Sequence, residues 1–243
     1  MAKFGLLGKN IGYSFSKTFF SIKFENECLP HSYHNFDTPS IDNFEEFIAQ
    51  NPDIQGMNVT IPYKEEIIPH LFNLDRDSKK IGAVNTIKFR KDRKLIGYNT
   101  DHYGFATALA AFLPLKEKTA LVLGTGGASK AIKYVLDAME FTYRSVSRSA
   151  EGTNLGYDQL TKDVVESHFL IINCTPRGTF PDIHEVPDIP FEHVGKDHVL
   201  FDLIYNPRET EFMKRGAAKG ARVSNGLEML KHQALKSWAI WNS

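Results

Sequence analysis

The segment "TALVLGTGGASKAIKYVLDAM", residues 119–139, decides the fold class because it combines three patterns in one run. A short apolar stretch typical of a buried strand leads into a glycine-rich turn, and an amphipathic helix pattern follows. The turn contains Gly124, Gly126 and Gly127, with Ala128 directly after them. Such glycines let the backbone approach a pyrophosphate, whose charge then lies at the helix N-terminus. We therefore predict a dinucleotide-binding turn here, and the alternative is a tight turn that binds no ligand.

The loop after the next strand should identify the cofactor. A carboxylate at that position hydrogen-bonds the ribose 2′-hydroxyl, whereas an arginine accommodates a 2′-phosphate. The sequence "SVSRSAEG", residues 145–152, places Arg148 between Ser147 and Ser149. Taken alone, Arg148 is explained equally well as an exposed loop cation. Beside a glycine turn it favours NADP over NAD.

Strand and helix patterns alternate along the whole chain. Residues 102–225 contain the glycine turn and further apolar strands, which predicts a Rossmann-like, doubly wound, NADP-binding domain. Residues 1–101 also alternate between strands and helices and end in a strand pair joined by the charged turn "RKDRK". The last helix pattern, Leu227 to Trp241, has an apolar stripe that must pack on other elements. We predict an α/β protein of two domains with a cleft between them, in which the first domain has a mainly parallel sheet.

The segment "NVTIPYKEE", residues 58–66, reads as a buried strand followed by a helix that begins at Pro62. Lys64 then lies near the end of a strand, a position where α/β proteins often place reactive groups. Thr60, Asn85 and Asp101 also follow apolar strands. Each has a structural explanation in isolation, as a turn former, a helix cap or a solvated cation. Together they predict a ligand site at the carboxyl ends of the strands.

Composition excludes several classes of protein. The 243 residues contain 29 Lys plus Arg and 29 Asp plus Glu, so no net charge favours nucleic acid or an anionic membrane. Cys28 and Cys174 stand alone, which argues against a disulfide framework and a structural zinc site. We expect no bound metal. No segment has the pattern of a signal peptide or the length of a transmembrane helix, so we expect a soluble cytoplasmic protein.

Seven blocks in a fixed order resemble the shikimate dehydrogenase family, and the resemblance runs almost end to end. These blocks are "NVTIPYKEE", "IGAVNTI", "GYNTDHYGF", "GTGGAS", "INCTPRG", "DLIYNP" and "NGLEMLKHQALKSW". The resemblance implies hydride transfer between NADP (NADPH) and C3 of shikimate, which interconverts shikimate with 3-dehydroshikimate during chorismate and aromatic amino-acid biosynthesis. It also implies a small-molecule substrate and a monomer or homodimer.

Site residues follow from the same resemblance. Lys64 and Asp101 match the catalytic pair, which we interpret as a general acid–base and its orienting partner. The substrate-binding positions are Ser14, Ser16, Thr60, Asn85, Tyr205 and Gln233. The cofactor-binding positions are Gly124, Gly126, Gly127, Ala128, Ser147, Arg148, Ser149, Thr175 and Gly226. On this basis residues 1–101 plus 226–243 form the substrate-binding domain, and residues 102–225 form the NADP-binding domain.

The chain departs from the family pattern at two places. A proline usually follows the second serine, where this chain has Lys17, and a second arginine common just after Arg148 is absent. Two other interpretations remain open at this stage. One is a quinate/shikimate dehydrogenase that uses NAD, and the other is a nucleotide-binding paralogue without catalytic activity. Retention of both Lys64 and Asp101 argues against the second.

Overall fold

The computed structural model describes residues 1–12, 14–150 and 152–243. The chain divides into two compact units. The first unit comprises Met1–Thr100 with Ala234–Ser243, and the second comprises Asp101–Gln233. Each unit contains one six-stranded sheet. The predicted α/β class is confirmed.

The first unit has a mixed sheet with the strand order β2-β1-β3-β5-β6-β4. Strands β1, β2 and β3 are parallel, whereas β5 runs antiparallel to both β3 and β6, as the predicted strand pair requires. The six strands are β1 (Lys3–Gly8), β2 (Ser32–Asp37), β3 (Ile54–Val59), β4 (Asn73–Leu74), β5 (Thr86–Phe89) and β6 (Leu95–Tyr98). The helices are α1 (Phe15–Asn26), α2 (Phe44–Gln50) and α3 (Arg76–Ile81).

The second unit has a wholly parallel sheet with the order β12-β11-β10-β7-β8-β9. Its strands are β7 (Thr119–Leu123), β8 (Thr142–Ser147), β9 (Leu155–Gly156), β10 (Leu170–Asn173), β11 (Val199–Asp202) and β12 (Arg222–Ser224). Its helices are α4 (Asp101–Leu109), α5 (Gly127–Ala138), α6 (Lys162–Glu166) and α7 (Glu211–Ala218).

Both faces of this parallel sheet are buried, which explains the continuous apolar runs of its strands. Ala120 and Val122 of β7 pack in one core with α4 and α5. The alternate residues Leu121 and Leu123 pack in a second core with Val165 of α6 and with α7. Helices therefore cover both faces, as in a doubly wound fold.

The last helix, α8 (Leu227–Trp241), has the bounds that the sequence predicts. From Ala234 onward it belongs to the first unit. There Trp241 stacks on Phe4 with ring centroids 4.9 Å apart, and its indole N–H donates to the carbonyl oxygen of Ile87 at 3.0 Å. The predicted apolar stripe thus packs on the sheet of the first unit.

Within the described ranges, none of the helices combines the length and the apolar character that a membrane span needs. The same part of the chain holds no group of three or more His, Cys, Asp or Glu side chains placed to bind a metal ion.

Candidate active site

The two serines near the start of the chain lie at the N-terminus of α1. Ser14 is the N-cap residue, and its hydroxyl oxygen accepts the backbone N–H of Lys17 at 3.2 Å. This bond uses a lone pair of the oxygen and leaves the O–H able to donate. Both Ser14 and Ser16 are buried, and the first turn contains no acidic residue. Two hydroxyl donors at the positive end of a helix are suited to binding a carboxylate.

The segment that carries Lys64 is not the helix that the sequence predicts. The Ile61–Pro62 bond is cis, and residues 61–67 form successive turns before a short 3-10 helix at Ile68–His70. The prediction of a helix from Pro62 is therefore wrong. The carbonyl oxygen of Lys64 accepts the N–H of the distant Val84, and Ile68 N–H donates to Glu65 at 3.2 Å, so the bonding pattern of an α-helix is not continued.

Backbone hydrogen bonds nevertheless fix the place of Lys64. Its carbonyl oxygen accepts the N–H of Val84 at 2.7 Å, while Tyr63 N–H donates to Thr60 at 3.0 Å. Thr60 in turn donates its N–H to Leu7 of β1 at 2.9 Å. The Lys64 side chain is half-buried. Thr60 and Lys64 therefore lie together at the carboxyl end of β3, as the sequence predicts.

A network of neutral polar side chains lies inside the first unit. Asn58 of β3 accepts the hydroxyl of Tyr33 at 2.8 Å and donates to the Ser237 hydroxyl at 3.0 Å. The side-chain oxygen of Asn85 accepts the backbone N–H of Thr100 at 2.6 Å. All of these residues are buried. The network holds the ends of β3 and β6 and includes the predicted substrate residue Asn85, which precedes β5 and does not follow a strand as the sequence predicts.

Tyr33 connects this network to the serines at the start of α1. Burial raises the pKa of the Tyr33 hydroxyl, and a hydrogen bond with Ser16 acts in the opposite direction. Sequence reasoning missed Tyr33, Asn58 and Ser237. The only signal was the amide of Asn58, a polar side chain in the buried part of β3.

In the second unit, Asp101 and Gln233 lie in one region. Asp101 is the first residue of α4 and is buried, as is Gln233 of α8. Gly104 follows Asp101 by one helical turn, and a Cβ added there would lie 3.1 Å from the Cβ of Gln233. It would also overlap the carbonyl oxygen of Met229, so only glycine permits this close packing of α4 against α8. Both side chains are acceptors suited to hydroxyl groups of a ligand.

The predicted dinucleotide turn joins β7 to α5. Gly124 has φ of +99°, a left-handed conformation that favours glycine, and Gly126 is the N-cap residue of α5. A Cβ added at Gly126 would meet no atom within 4 Å, so open space lies beside the turn. Gly127 and Ala128 form the first turn of the helix, which contains no acidic residue. These features fit a pyrophosphate at the helix N-terminus.

Two further loops follow neighbouring strands at the same edge of the sheet. After β8, the Ser147 hydroxyl donates to the carbonyl oxygen of Ser149, and Arg148 and Ser149 are exposed. After β10, Thr175 donates both its N–H and its hydroxyl to the side-chain oxygen of Asn173, at 3.0 and 2.7 Å. The parallel strand order β10-β7-β8 therefore brings the predicted cofactor residues around the glycine turn.

A buried carboxylate organises the loops after β10 and β11. Asp202 accepts the Asn173 amide and the Ile204 backbone N–H, both at 3.0 Å, and the Thr210 hydroxyl at 2.6 Å. Ile204 precedes the half-buried Tyr205, and its carbonyl oxygen accepts the N–H of Gly226 at 2.9 Å. Through these bonds Asp202 holds the backbone that presents Thr175, Tyr205 and Gly226. Sequence reasoning did not assign Asp202 a role.

The fold and the glycine turn define the class of protein: a two-unit α/β protein whose parallel sheet carries a nucleotide-binding turn. A family model for the shikimate dehydrogenase substrate binding domain matches residues 6–87. A shikimate dehydrogenase (NADP(+)) of Clostridium beijerinckii is 36% identical over 251 aligned positions, gaps included, and the match covers 99% of this chain and 92% of that protein. The chain belongs to the shikimate dehydrogenase family.

Solved structures agree with this assignment. A chorismate mutase/shikimate 5-dehydrogenase fusion protein from Clostridium acetobutylicum superposes with a TM-score of 0.89 at 33% identity, covering 100% of this chain and 91% of that one. Shikimate 5-dehydrogenase from Thermus thermophilus, solved in complex with NADP(H) and shikimate, gives a TM-score of 0.86 at 31% identity. That match covers 99% of this chain and 93% of that one.

The buried Asp202 carboxyl group should make the free energy of unfolding depend on pH. Burial raises the pKa of Asp202 to about 6, against the bonds from Thr210, Ile204 and Asn173 that lower it. The folded chain therefore binds this proton more tightly than the unfolded chain. The contribution of Asp202 to stability should rise as pH falls from about 6 towards 4.

Asp202→Asn removes this titration. When the pH is lowered from 7.5 to 4.5, the free energy of unfolding of the native chain should increase by about 2 kcal/mol relative to that of the variant. Urea denaturation of both proteins at the two pH values measures the change. Parallel pH profiles for the two proteins would show that Asp202 does not hold a raised pKa.

Proposed function

We propose that the chain is a cytoplasmic shikimate dehydrogenase, which interconverts shikimate and 3-dehydroshikimate with NADP in chorismate biosynthesis. The observation that carries the proposal is the match to proteins of that name over 99% of the chain. The retained Lys64, Asp101 and paired serines support it. The first unit carries Lys64 and the paired serines, and the second carries the glycine turn that we assign to the cofactor.

Substrate recognition uses neutral groups and a helix terminus. Ser14 and Ser16 donate to the ring carboxylate, which the positive end of α1 also stabilises. Thr60, Asn85, Tyr205 and Gln233 bind the carboxylate or the ring hydroxyls. A buried polar group that is built to pair with a hydroxyl rejects an analogue that lacks it. This arrangement selects a small polyhydroxylated acid.

Proton transfer is the task of Lys64. When bound, NADP⁺ supplies the acceptor for the hydride that leaves C3 of shikimate. As the carbonyl forms, the C3 hydroxyl proton moves to the Nζ of Lys64, and the reverse reaction returns it. Asp101 orients this amine. The backbone bonds to Val84 and through Tyr63 hold the Lys64 segment in place without a helix.

The glycine turn and its neighbouring loops bind the cofactor. Gly124, Gly126, Gly127 and Ala128 admit the pyrophosphate, and Ser147, Arg148 and Ser149 bind the adenosine 2′-phosphate. Thr175 and Gly226 complete the site. The open space beside Gly126 supports this assignment. The alternative function, an NAD-using quinate/shikimate dehydrogenase, differs in both substrate and cofactor.

Four parallel assays separate these functions. The purified chain is incubated with shikimate or quinate, each with NADP⁺ or NAD⁺, and nicotinamide reduction is followed by absorbance. We expect the highest kcat/KM for shikimate with NADP⁺. A preference for quinate with NAD⁺ would support the alternative, and no reduction in any combination would contradict an enzymatic function.

Replacement of Lys64 tests the mechanism. Lys64→Ala removes the proton acceptor, so kcat should fall by about 10²–10⁴-fold, whereas the Michaelis constant for shikimate should change much less. A small primary amine added to the assay should restore part of the lost rate. Lys91→Ala, at an exposed lysine of the same unit, is the control and should retain full activity.

Near-normal kcat with a raised Michaelis constant for shikimate would contradict the acid–base role. In that case Lys64 would be a substrate-binding residue.

A further inference from the structure

The loop after β8 carries too little positive charge for a phosphate monoester. Between Ser147 and Tyr157 the sequence is "SRSAEGTNLGY", in which Arg148 is the only Lys or Arg. A phosphate monoester has a charge of about −1.5 to −2 near neutral pH. One guanidinium therefore balances only part of the 2′-phosphate charge, and the serines of this loop are neutral. A second cation from another element would balance the rest.

The strand order indicates which loop supplies it. Strands β8 and β10 lie on the two sides of β7, which ends at the glycine turn, and all three are parallel. Their carboxyl ends therefore lie along one edge of the sheet, roughly 10 Å apart for β8 and β10. The loop after β10 contains Arg177, four residues beyond Asn173.

The backbone of Arg177 is held while its guanidinium is exposed. Its carbonyl oxygen accepts the Asn173 amide at 3.4 Å, and its N–H donates to the Thr175 hydroxyl at 3.3 Å. The side chain is 47% exposed and lies 3.5 Å from the carboxylate of Glu185. An exposed ion pair of this kind is weak, so an anion can replace Glu185 at little cost.

The charges of Arg148 and Arg177 both affect the pKa of one hydroxyl group, that of Tyr157. Tyr157 follows β9, the strand beside β8, and is half-buried. Burial raises the pKa of Tyr157, while the charges of Arg177 and Arg148 lower it. Arg148 and Arg177 therefore lie within electrostatic reach of the same point at the edge of the sheet.

We propose that Arg177 is the second cation of the site that binds the 2′-phosphate of NADP. Together with Arg148 it selects NADP over NAD. The assignment rests on the proposed cofactor. On binding, the guanidinium of Arg177 exchanges the exposed Glu185 carboxylate for phosphate oxygens, which can accept two of its N–H groups at once.

Binding of two nucleotide fragments tests this role without using activity. Adenosine 2′,5′-bisphosphate carries the 2′-phosphate, and adenosine 5′-monophosphate lacks it. We expect Arg177→Ala to weaken bisphosphate binding by roughly 10-fold in calorimetry and to leave monophosphate binding unchanged. Arg148→Ala should behave in the same way. In steady-state assays both variants should raise the Michaelis constant for NADP more than that for NAD.

One control variant and one variant of the Arg177 ion pair complete the test. Arg144→Ala removes an exposed arginine of β8 three residues before the strand ends, and should leave both fragments unaffected. Glu185→Gln releases Arg177 from its ion pair and should tighten bisphosphate binding by roughly twofold.

Equal loss of both fragments in Arg177→Ala would overturn the proposal, since it would place the guanidinium against the adenosine or the 5′-phosphate that the two fragments share. Unchanged bisphosphate binding would overturn it as well. A chain that binds the bisphosphate through Arg177 but does not oxidise shikimate would refute the proposed function and leave this assignment intact. If the native chain bound both fragments equally, the choice of NADP itself would be contradicted.

Discussion

The first unit depends on the hydrogen bonds of the Asn58 side-chain amide. Asn58 is 4% exposed, and its amide connects four elements: its own strand β3, β2 through Tyr33, β5 through Thr86 and α8 through Ser237. A buried amide left without partners costs about 1–3 kcal/mol, so each connected element must keep its place. All the groups are neutral at physiological pH, and the network therefore keeps its form across that range.

The same hydrogen-bond network also holds residues that we assign to substrate binding. Asn58 donates to the carbonyl oxygen of Asn85 at 3.2 Å, and Asn85 fixes the backbone of Thr100. On the other side, Tyr33 contacts both Asn58 and Ser16. The strands, the start of α1 and the last helix are thus held by one set of hydrogen bonds. The second unit uses the same principle at Asp202, where a single carboxylate holds the loops after β10 and β11.

Local patterns in the sequence predict much of this structure. The glycine turn, the apolar strands and the bounds of α8 follow from periodicity and composition over short windows. The helix predicted from Pro62 did not form because the Lys64 carbonyl oxygen bonds to Val84, a contact between distant segments that the charge pattern did not reveal. The partners of Asn58 could not be predicted, since Ser237 lies 179 residues away and no local pattern joins them. The sequence likewise gave no reason to place Arg177 near Arg148, because their proximity depends on the strand order.

We infer that the buried network positions the residues assigned to the substrate in addition to stabilising the fold. Tyr33→Phe tests it most directly, because the change removes one hydroxyl and retains the ring that stacks on Phe20. The Michaelis constants for shikimate and NADP, measured together with the free energy of unfolding, give the answer. We expect the constant for shikimate to rise several-fold while that for NADP stays unchanged, because Ser16 and Asn58 lose their common partner. A loss of stability with both constants unchanged would contradict the claim.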